Sequence, residues 1–270
     1  MAYNNTKSER SRVSIVVPCY NPAEGWSGVI LKKIHELNEA LPAYELEFII
    51  SNDGSTRISR VEVERLLAHP QVTFLDHRLN QGKGASIRKG AARSHGEFIV
   101  YTDIDFPFGI EPVVQMVQVF ESNPRCQFVY GARNKQYFRQ LPIKRRIISF
   151  CLKMLNLLIL SPRIRDTQAG IKGLRRDSLN DIIETRTNSF VFEIELIRKL
   201  VRRKAEIQSV EVAAEPSITF SDFSGKVLWK EMVSLTRILV GSREPEPYFA
   251  EQKEELEEEE LSRIPAIAPV

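Results

Sequence analysis

The sequence predicts an α/β fold: a mostly parallel sheet with helices on both faces, followed by a C-terminal helical extension. Three observations predict it. Short apolar runs rich in Val, Ile and Phe alternate with longer amphipathic segments, the pattern of strand–helix–strand units. Three of those runs end in polar clusters, Pro18-Cys19-Tyr20-Asn21, Asn52-Asp53-Gly54-Ser55 and Asp103-Ile104-Asp105. In open parallel sheets ligands sit beyond the carboxyl ends of the strands, so the three clusters should share one rim. Finally, 43% of the 270 residues are hydrophobic, enough for a sizeable core in one domain.

Val13–Val17 reads as a buried strand stopped by Pro18. A helix over Gly25–Leu41 follows, with Pro42 behind it. Leu46–Ile50 is a second buried strand ending in the Ser51–Ser55 turn. Ser59–Ala68 is helical, with Ser59 at the N-cap. Val72–Leu75 is a strand, Gly84–Ser94 a helix entered from a glycine-containing loop, and Glu97–Thr102 a strand running into the two aspartates. The second half is less regular. Ile110–Glu121 reads as helix, Gln127–Gly131 as strand, Val191–Arg203 as helix and Glu206–Val212 as strand. Lys144–Leu160 reads as a long apolar-basic helix and Lys226–Val240 as an amphipathic one.

Charge divides the chain. From Glu244 onward there are nine Glu, one Lys and one Arg, which leaves 36 basic and 26 acidic residues before it, a net of +10. A basic body suits anionic substrates or an anionic membrane surface; with no nucleic-acid motif present, nucleic acid is not expected as a partner. Residues 1–12 are polar and expected to be flexible, 13–243 form the folded domain, and the Glu- and Pro-rich stretch 244–270 is expected to be disordered. No stretch reaches the ~20 apolar residues of a membrane-spanning helix. Three scattered cysteines, Cys19, Cys126 and Cys151, lack zinc-site spacing and suit a reducing, cytoplasmic compartment.

Each cluster has a chemical reading and a plainer one. Hard carboxylate oxygens at Asp103 and Asp105 suit Mg2+ or Mn2+, which bind through one or two carboxylates plus substrate phosphates. On a straight strand the two side chains would point to opposite faces, so a bend is required; the plainer reading is a solvated turn. Asp53 either bonds nearby turn amides or accepts a hydrogen bond from a nucleotide base. In Asn80-Gln81-Gly82-Lys83-Gly84 the glycines allow close approach, the helix N-terminus attracts anions and Lys83 adds charge, although the spacing is not that of a P-loop.

Taken together, Val16–Asn21, Asn52–Thr56, Asn80–Gly84 with Gly90, and Asp103–Asp105 occur in the order seen in glycosyltransferase family 2, which the chain resembles from about Val13 to Val240. Asp166-Thr167-Gln168-Ala169-Gly170-Ile171-Lys172 and Phe192-Glu193-Ile194-Glu195-Leu196 resemble segments of its polyprenyl-phosphate glycosyltransferases, the dolichyl-phosphate glucosyltransferases above all. Two positions differ from the usual pattern: Pro107 stands where mannose synthases often carry Gln, and Glu193 where Asp is more usual.

The resemblance implies a GT-A, Rossmann-like fold and metal-dependent, inverting transfer of a hexose from a nucleotide-diphosphate sugar, UDP-glucose or GDP-mannose in type. The implied acceptor is a polyprenyl or dolichyl phosphate. It also implies roles. Asp53 would contact the base, with Pro18, Tyr20 and Asn21 shaping that pocket. Asp103 would lie by the ribose and metal, and Asp105 would be the direct metal ligand. Gln168 and Glu193 would line the sugar and acceptor side, and Arg133 and Arg145 would grip the acceptor phosphate. Lys83 belongs with the donor.

A lipid monophosphate is largely dianionic near neutral pH and needs cations rather than a base. A hydroxyl acceptor would need one, and Glu193 is then the candidate; the plainer reading of Glu193 and Glu195 is a solvated helix face. Lys144–Leu160, flanked by Lys144, Arg145, Arg146, Arg163 and Arg165, suits a helix lying in a membrane interface, with peripheral contact to the cytoplasmic face, or else a core or dimer helix. The rival functions are a soluble glycosyltransferase acting on a saccharide or protein hydroxyl and a non-catalytic nucleotide-sugar-binding module.

Overall fold

Alternation along the strands sets the architecture. In the first strand Val13, Ile15 and Val17 face one core and Val16 faces another; in the next, Leu46, Phe48 and Ile50 oppose Ile49 in the same way. A strand apolar on both sides must be covered on both sides, which is the requirement of a parallel sheet. The computed structural model describes residues 10–134, 137, 146, 164, 166–189 and 191–215. In chain order they form β1 (Arg12–Cys19), α1 (Trp26–Ala40), β2 (Glu45–Asp53), α2 (Arg60–Leu67), β3 (Val72–His77), α3 (Lys83–Ala92), β4 (Phe98–Tyr101), α4 (Glu111–Ser122) and β5 (Cys126–Arg133). They continue with β6 (Lys172–Arg175), a 3-10 turn (Arg176–Ser178), α5 (Leu179–Ile183), α6 (Phe192–Arg202) and β7 (Glu206–Val212).

The seven strands lie in the order β3-β2-β1-β4-β6-β5-β7. All neighbours are parallel except β6, which runs antiparallel to both β4 and β5. One core holds Trp26, Ile30, Ile34 and Leu37 of α1, Leu66 of α2 and Val113, Met116, Val117 and Phe120 of α4. The opposite core holds Ile87 and Ala91 of α3, Ile182 of α5 and Phe192, Leu196, Ile197 and Leu200 of α6. Helices therefore cover both faces, as the sequence predicts. Gly90 lets α3 press onto the sheet, since a side chain there would overlap Val16.

Two features differ from expectation. β1 does not stop at Pro18; it continues to Cys19, pairing Pro18 with Ser51 and Cys19 with Asn52 of β2. β4 pairs with β1 only as far as Val16, so Pro18 has a strand on one side and its missing N–H breaks no ladder on the other. β6 was not foreseen. Its four residues, Lys172-Gly173-Leu174-Arg175, carry one aliphatic side chain and no apolar period, and Gly173 stands where a β-carbon would press on Phe120 and Met116 of α4.

Smaller differences concern element ends. Ser59 holds the N-cap place of α2 with extended backbone angles, yet its side chain makes no capping hydrogen bond. β2 and β3 run on to Asp53 and His77, carrying polar residues to the rim in paired register. Of the expected helix over 144–160 only Arg146 is described, and the expected helix over 226–240 and acidic stretch 244–270 lie outside the described residues.

Candidate active site

The carboxyl ends of β1, β2 and β4 open onto one rim, and hydrogen bonds lock their turns together. Asn21, with φ 44°, accepts the amides of Thr56 and Arg57 at 3.0 Å each and donates its own amide to Ser55 Oγ at 2.7 Å. Asn52 donates to Asp76 at 2.6 Å, joining β2 to β3. Gly54, at φ 67°, sits against the backbone of Leu79 and Asn80, where any side chain would overlap. Pro18 lies within β1, half-buried, and Tyr20 beyond it is exposed. Cys19 is buried, and burial, opposed by the Ser55 hydrogen bond, pushes its thiol up to about 12. A neutral thiol there is neither nucleophile nor metal ligand.

Asp53 is buried and both of its oxygens are in use. Oδ1 accepts the Gln81 amide and Oδ2 the Gly82 amide, each at 2.8 Å. The plainer reading assigned it to its own turn; it instead holds a loop 28 residues downstream. Four lone-pair sites on a carboxylate leave room for a further donor.

The glycines of that loop serve chain packing. Gly82 adopts φ 104°, and side chains at 82 and 84 would strike the carbonyls of Asn188 and Thr187. The Gly84 amide donates to Asn188 O at 2.8 Å, so this amide at the start of α3 is already satisfied by protein. Lys83 stands in an ion pair with Asp103. Burial would push its ammonium down, but the charge of Asp103, then that of Glu193, holds it above the ordinary value.

The bend needed to bring the two aspartates together is present. β4 ends at Tyr101, the Phe106 amide bonds to Asp103 O at 3.0 Å, and Phe106 adopts φ 45°. Asp105 feels the result: burial first, then the charge of Asp103, raises its carboxyl above the ordinary carboxylate range. A carboxyl whose ionisation is disfavoured by burial and by a neighbouring carboxylate belongs to a donor set that fits a hard divalent cation, whose charge removes the repulsion. Among the described residues no three His, Cys, Asp or Glu side chains cluster as a self-sufficient metal cage.

The segment 166–172 closes the other side. Arg133, at the end of β5, makes a bidentate pair with Asp166 (2.8 and 3.0 Å) and donates to Gln168 Oε1 at 2.6 Å. The pair is buried, with side chains 5% and 4% exposed. The resemblance implies that Arg133 grips an acceptor phosphate; in the structure its Nε and Nη2 hold this segment. Arg145 lies outside the described residues.

Glu193 lies in the first turn of α6. It is no solvated helix face: Oε2 pairs with the buried Lys172, and Oε1 is buried beside Tyr101. Glu195 likewise holds backbone, accepting the amides of Arg186 and Thr187 at 2.9 Å each. The rim thus gathers Asp53, Lys83, Asp103 and Asp105, with Gln168 and Glu193 in the segments beside them. The sequence reading gave no role to Tyr101, Asp166, Gly170 or Lys172, although three of these lie in a segment it singled out.

Residues 14–183 match the family model for glycosyl transferase family 2. The chain belongs to glycosyltransferase family 2. Within the family it is similar to a dolichyl-phosphate beta-glucosyltransferase of Trichomonas vaginalis, 25% identical over 211 residues, covering 74% of this chain and 62% of that one. The human dolichyl-phosphate beta-glucosyltransferase is 25% identical over 205 residues, covering 70% and 63%. The bactoprenol glucosyl transferase of Shigella phage SfX is 24% identical over 172 residues, covering 63% and 54%. The match spans less than two thirds of each of these family 2 relatives. Solved structures agree on the GT-A fold. Mannosyl-3-phosphoglycerate synthase from Rubrobacter xylanophilus superposes with a TM-score of 0.62 at 17% identity, covering 87% of this chain and 78% of that one. Glucosyl-3-phosphoglycerate synthase from Mycobacterium tuberculosis, in complex with Mn2+, uridine diphosphate and phosphoglyceric acid, does so at 0.58 and 18%, covering 86% and 78%.

Proposed function

We propose that this family 2 chain transfers a hexose, with inversion, from a nucleotide-diphosphate sugar to a polyprenyl or dolichyl phosphate. The observation that carries the reading is the bent Asp103-Ile104-Asp105 turn, paired with Lys83 and standing on the same rim as Asp53. The names of the dolichyl-phosphate and bactoprenol relatives support the lipid-phosphate acceptor.

The described residues each have a task in this reaction. Asp53 fixes the 80–84 loop and retains acceptor capacity for a base N–H, with Pro18, Tyr20 and Asn21 forming that side of the pocket. Lys83 brings positive charge next to Asp103, where a departing diphosphate would develop negative charge. Asp105, with Asp103, would hold a divalent cation; solved neighbours crystallised with Mn2+ support Mn2+ or Mg2+. When bound, that cation supplies charge against the diphosphate. Gln168, anchored by Arg133, faces the sugar and acceptor side, and Arg145 is the remaining arginine assigned to the acceptor phosphate.

The ion pair that ties Glu193 Oε2 to the buried Lys172 supports a phosphate acceptor over a hydroxyl one. A dianionic phosphate attacks without a base, whereas a hydroxyl would require a carboxylate free to accept its proton. Peripheral membrane contact through 144–160 belongs to the same proposal; no helix among the described residues is long and apolar enough to cross a membrane. The domain assignment, with 13–243 as the catalytic unit, is likewise proposed.

The test is direct. The full chain is incubated with UDP-glucose or GDP-mannose, Mg2+ or Mn2+, and polyprenyl phosphate in detergent, and the lipid product is separated. Metal-dependent formation of a glycosyl phosphoryl lipid is expected. Transfer only to soluble hydroxyl acceptors would replace this reading with a soluble transferase, and tight donor binding without any turnover would replace it with a binding module.

A further inference from the structure

Lys172 is fully buried in β6, in register between Tyr101 of β4 and Tyr130 of β5. A buried ammonium is costly unless hydrogen-bonded and paired. This one has three neighbours: the Ala169 carbonyl oxygen at 2.5 Å, Glu193 Oε2, and the Tyr101 ring 5.9 Å away at its centroid. The first two belong to different elements on either side of the rim. Ala169 immediately precedes Gly170, which lies against the Asp103 carboxylate so closely that a side chain there would overlap it. Glu193 opens α6, whose preceding segment packs through Thr187 and Asn188 on the Gly82–Gly84 loop. Glu193 Oε1 and the Tyr101 hydroxyl are buried together, and Oε2 carries the carboxylate's ion pair to β6. The segment is held from its other end by Arg133 on Asp166 and Gln168.

We propose that Lys172 is a positioning residue for the donor site: by binding Glu193 and the Ala169 carbonyl at once, it seats Gly170 against Asp103 and leaves the Asp103 carboxylate a single place to occupy. The inference rests on the reading that Asp103 serves the nucleotide-sugar donor. A lysine present only for stability would be replaceable by any arrangement that removes the buried charges together. A positioning lysine would not be, because methionine has no donor for Ala169 O.

The experiment compares wild type, Lys172→Met, Glu193→Gln and the double variant in the full chain. Mn2+ affinity in the presence of UDP is read from the free-ion paramagnetic resonance signal, and thermal unfolding and hexose transfer are measured beside it. Lys172→Met is expected to lose thermal stability and at least tenfold in Mn2+ affinity. The double variant is expected to regain most of the melting temperature, because no unpaired carboxylate remains, while Mn2+ affinity and transfer stay low. Recovery of both in the double variant, or wild-type Mn2+ affinity in Lys172→Met, would overturn the proposal. Amide hydrogen exchange on the same proteins separates this inference from the functional reading. If the wild type binds no Mn2+ with UDP, that reading fails, and the inference stands or falls on exchange alone. Faster exchange at 102–106 and 167–172 in both Lys172 variants, with β1–β3 unchanged, supports it; unchanged exchange at 102–106 overturns it.

Discussion

Gly170 and Asp103, 67 positions apart in the chain, are in direct contact: a β-carbon on Gly170 would overlap the Asp103 carboxylate. No left-handed backbone is involved at 170, so the requirement for glycine there is space rather than conformation. Gly170→Ala is therefore expected to fold and to displace the Asp103 carboxylate. Metal-dependent donor affinity should fall by about tenfold to a hundredfold, equivalent to roughly 1.4–2.8 kcal/mol. Titration calorimetry with UDP and Mn2+ checks this. Wild-type affinity in a folded Gly170→Ala protein would show that the contact relaxes at no cost.

The buried Arg133–Asp166 pair changes what an arginine variant should do. Removing one partner of such a pair leaves an uncompensated charge and costs about 3–5 kcal/mol. Arg133→Ala should lower stability on that scale, seen as a reduced denaturant midpoint, and donor and acceptor use should fall together. Arg145→Ala should instead reduce use of polyprenyl phosphate by about tenfold to a hundredfold with donor affinity unchanged, as expected for losing one charge-assisted contact to the acceptor. A stable Arg133→Ala protein impaired only toward acceptor would return Arg133 to the acceptor site.

Asp105 is held in the fold with its carboxyl raised, by burial first and then by Asp103. A carboxyl whose folded pKa lies above its unfolded value is harder to ionise in the fold, so its ionised form costs stability at neutral pH and the cost disappears as pH falls through the folded value. Asp105→Asn removes that cost. The variant should melt no lower than wild type without metal at neutral pH, while metal-dependent donor binding is lost. A large drop in melting temperature would mark Asp105 as structural.

At the opposite end of the sheet, Glu47 joins β1, β2 and the turn before β4. Burial pushes its carboxyl up, but the Ser14 hydroxyl at 2.5 Å and the His95 amide and ring outweigh it, and the net shift is below the ordinary 4.5. A depressed carboxyl stabilises the fold above its unfolded pKa and loses that contribution as pH falls through the folded one. Glu47→Gln should therefore cost about 1–3 kcal/mol at neutral pH, the range for hydrogen bonds to a charged group. The difference from wild type should vanish in acid below the ordinary carboxylate range. A pH-independent difference would show that Glu47 acts by packing alone.

Much of the fold was legible because strand and helix periods are local. Each run from Val13 to Val100 carries its own apolar pattern, and the polar residues after three of the strands mark one rim. β6 escaped because four residues with one aliphatic side chain contain no period; two neighbouring strands and α4 make it a strand. Pro18 misled for a related reason. Whether a proline ends a strand depends on which neighbour is present, and β4 stops short of it.

The sequence by itself determined the family, the sheet with helices on both faces, and the residue types gathered at its carboxyl edge, since these follow from periodicity and from ordered motifs along one chain. Only the tertiary structure decided what each charged group touches. Asp53 holds a loop 28 residues downstream, Arg133 pairs with Asp166, and Glu193 is drawn inward by Lys172 rather than left in solvent. A charge on a linear sequence has no partner until the chain closes. Once it closes, burial makes an unpaired charge so costly that the nearest opposite charge, however distant in sequence, sets its role.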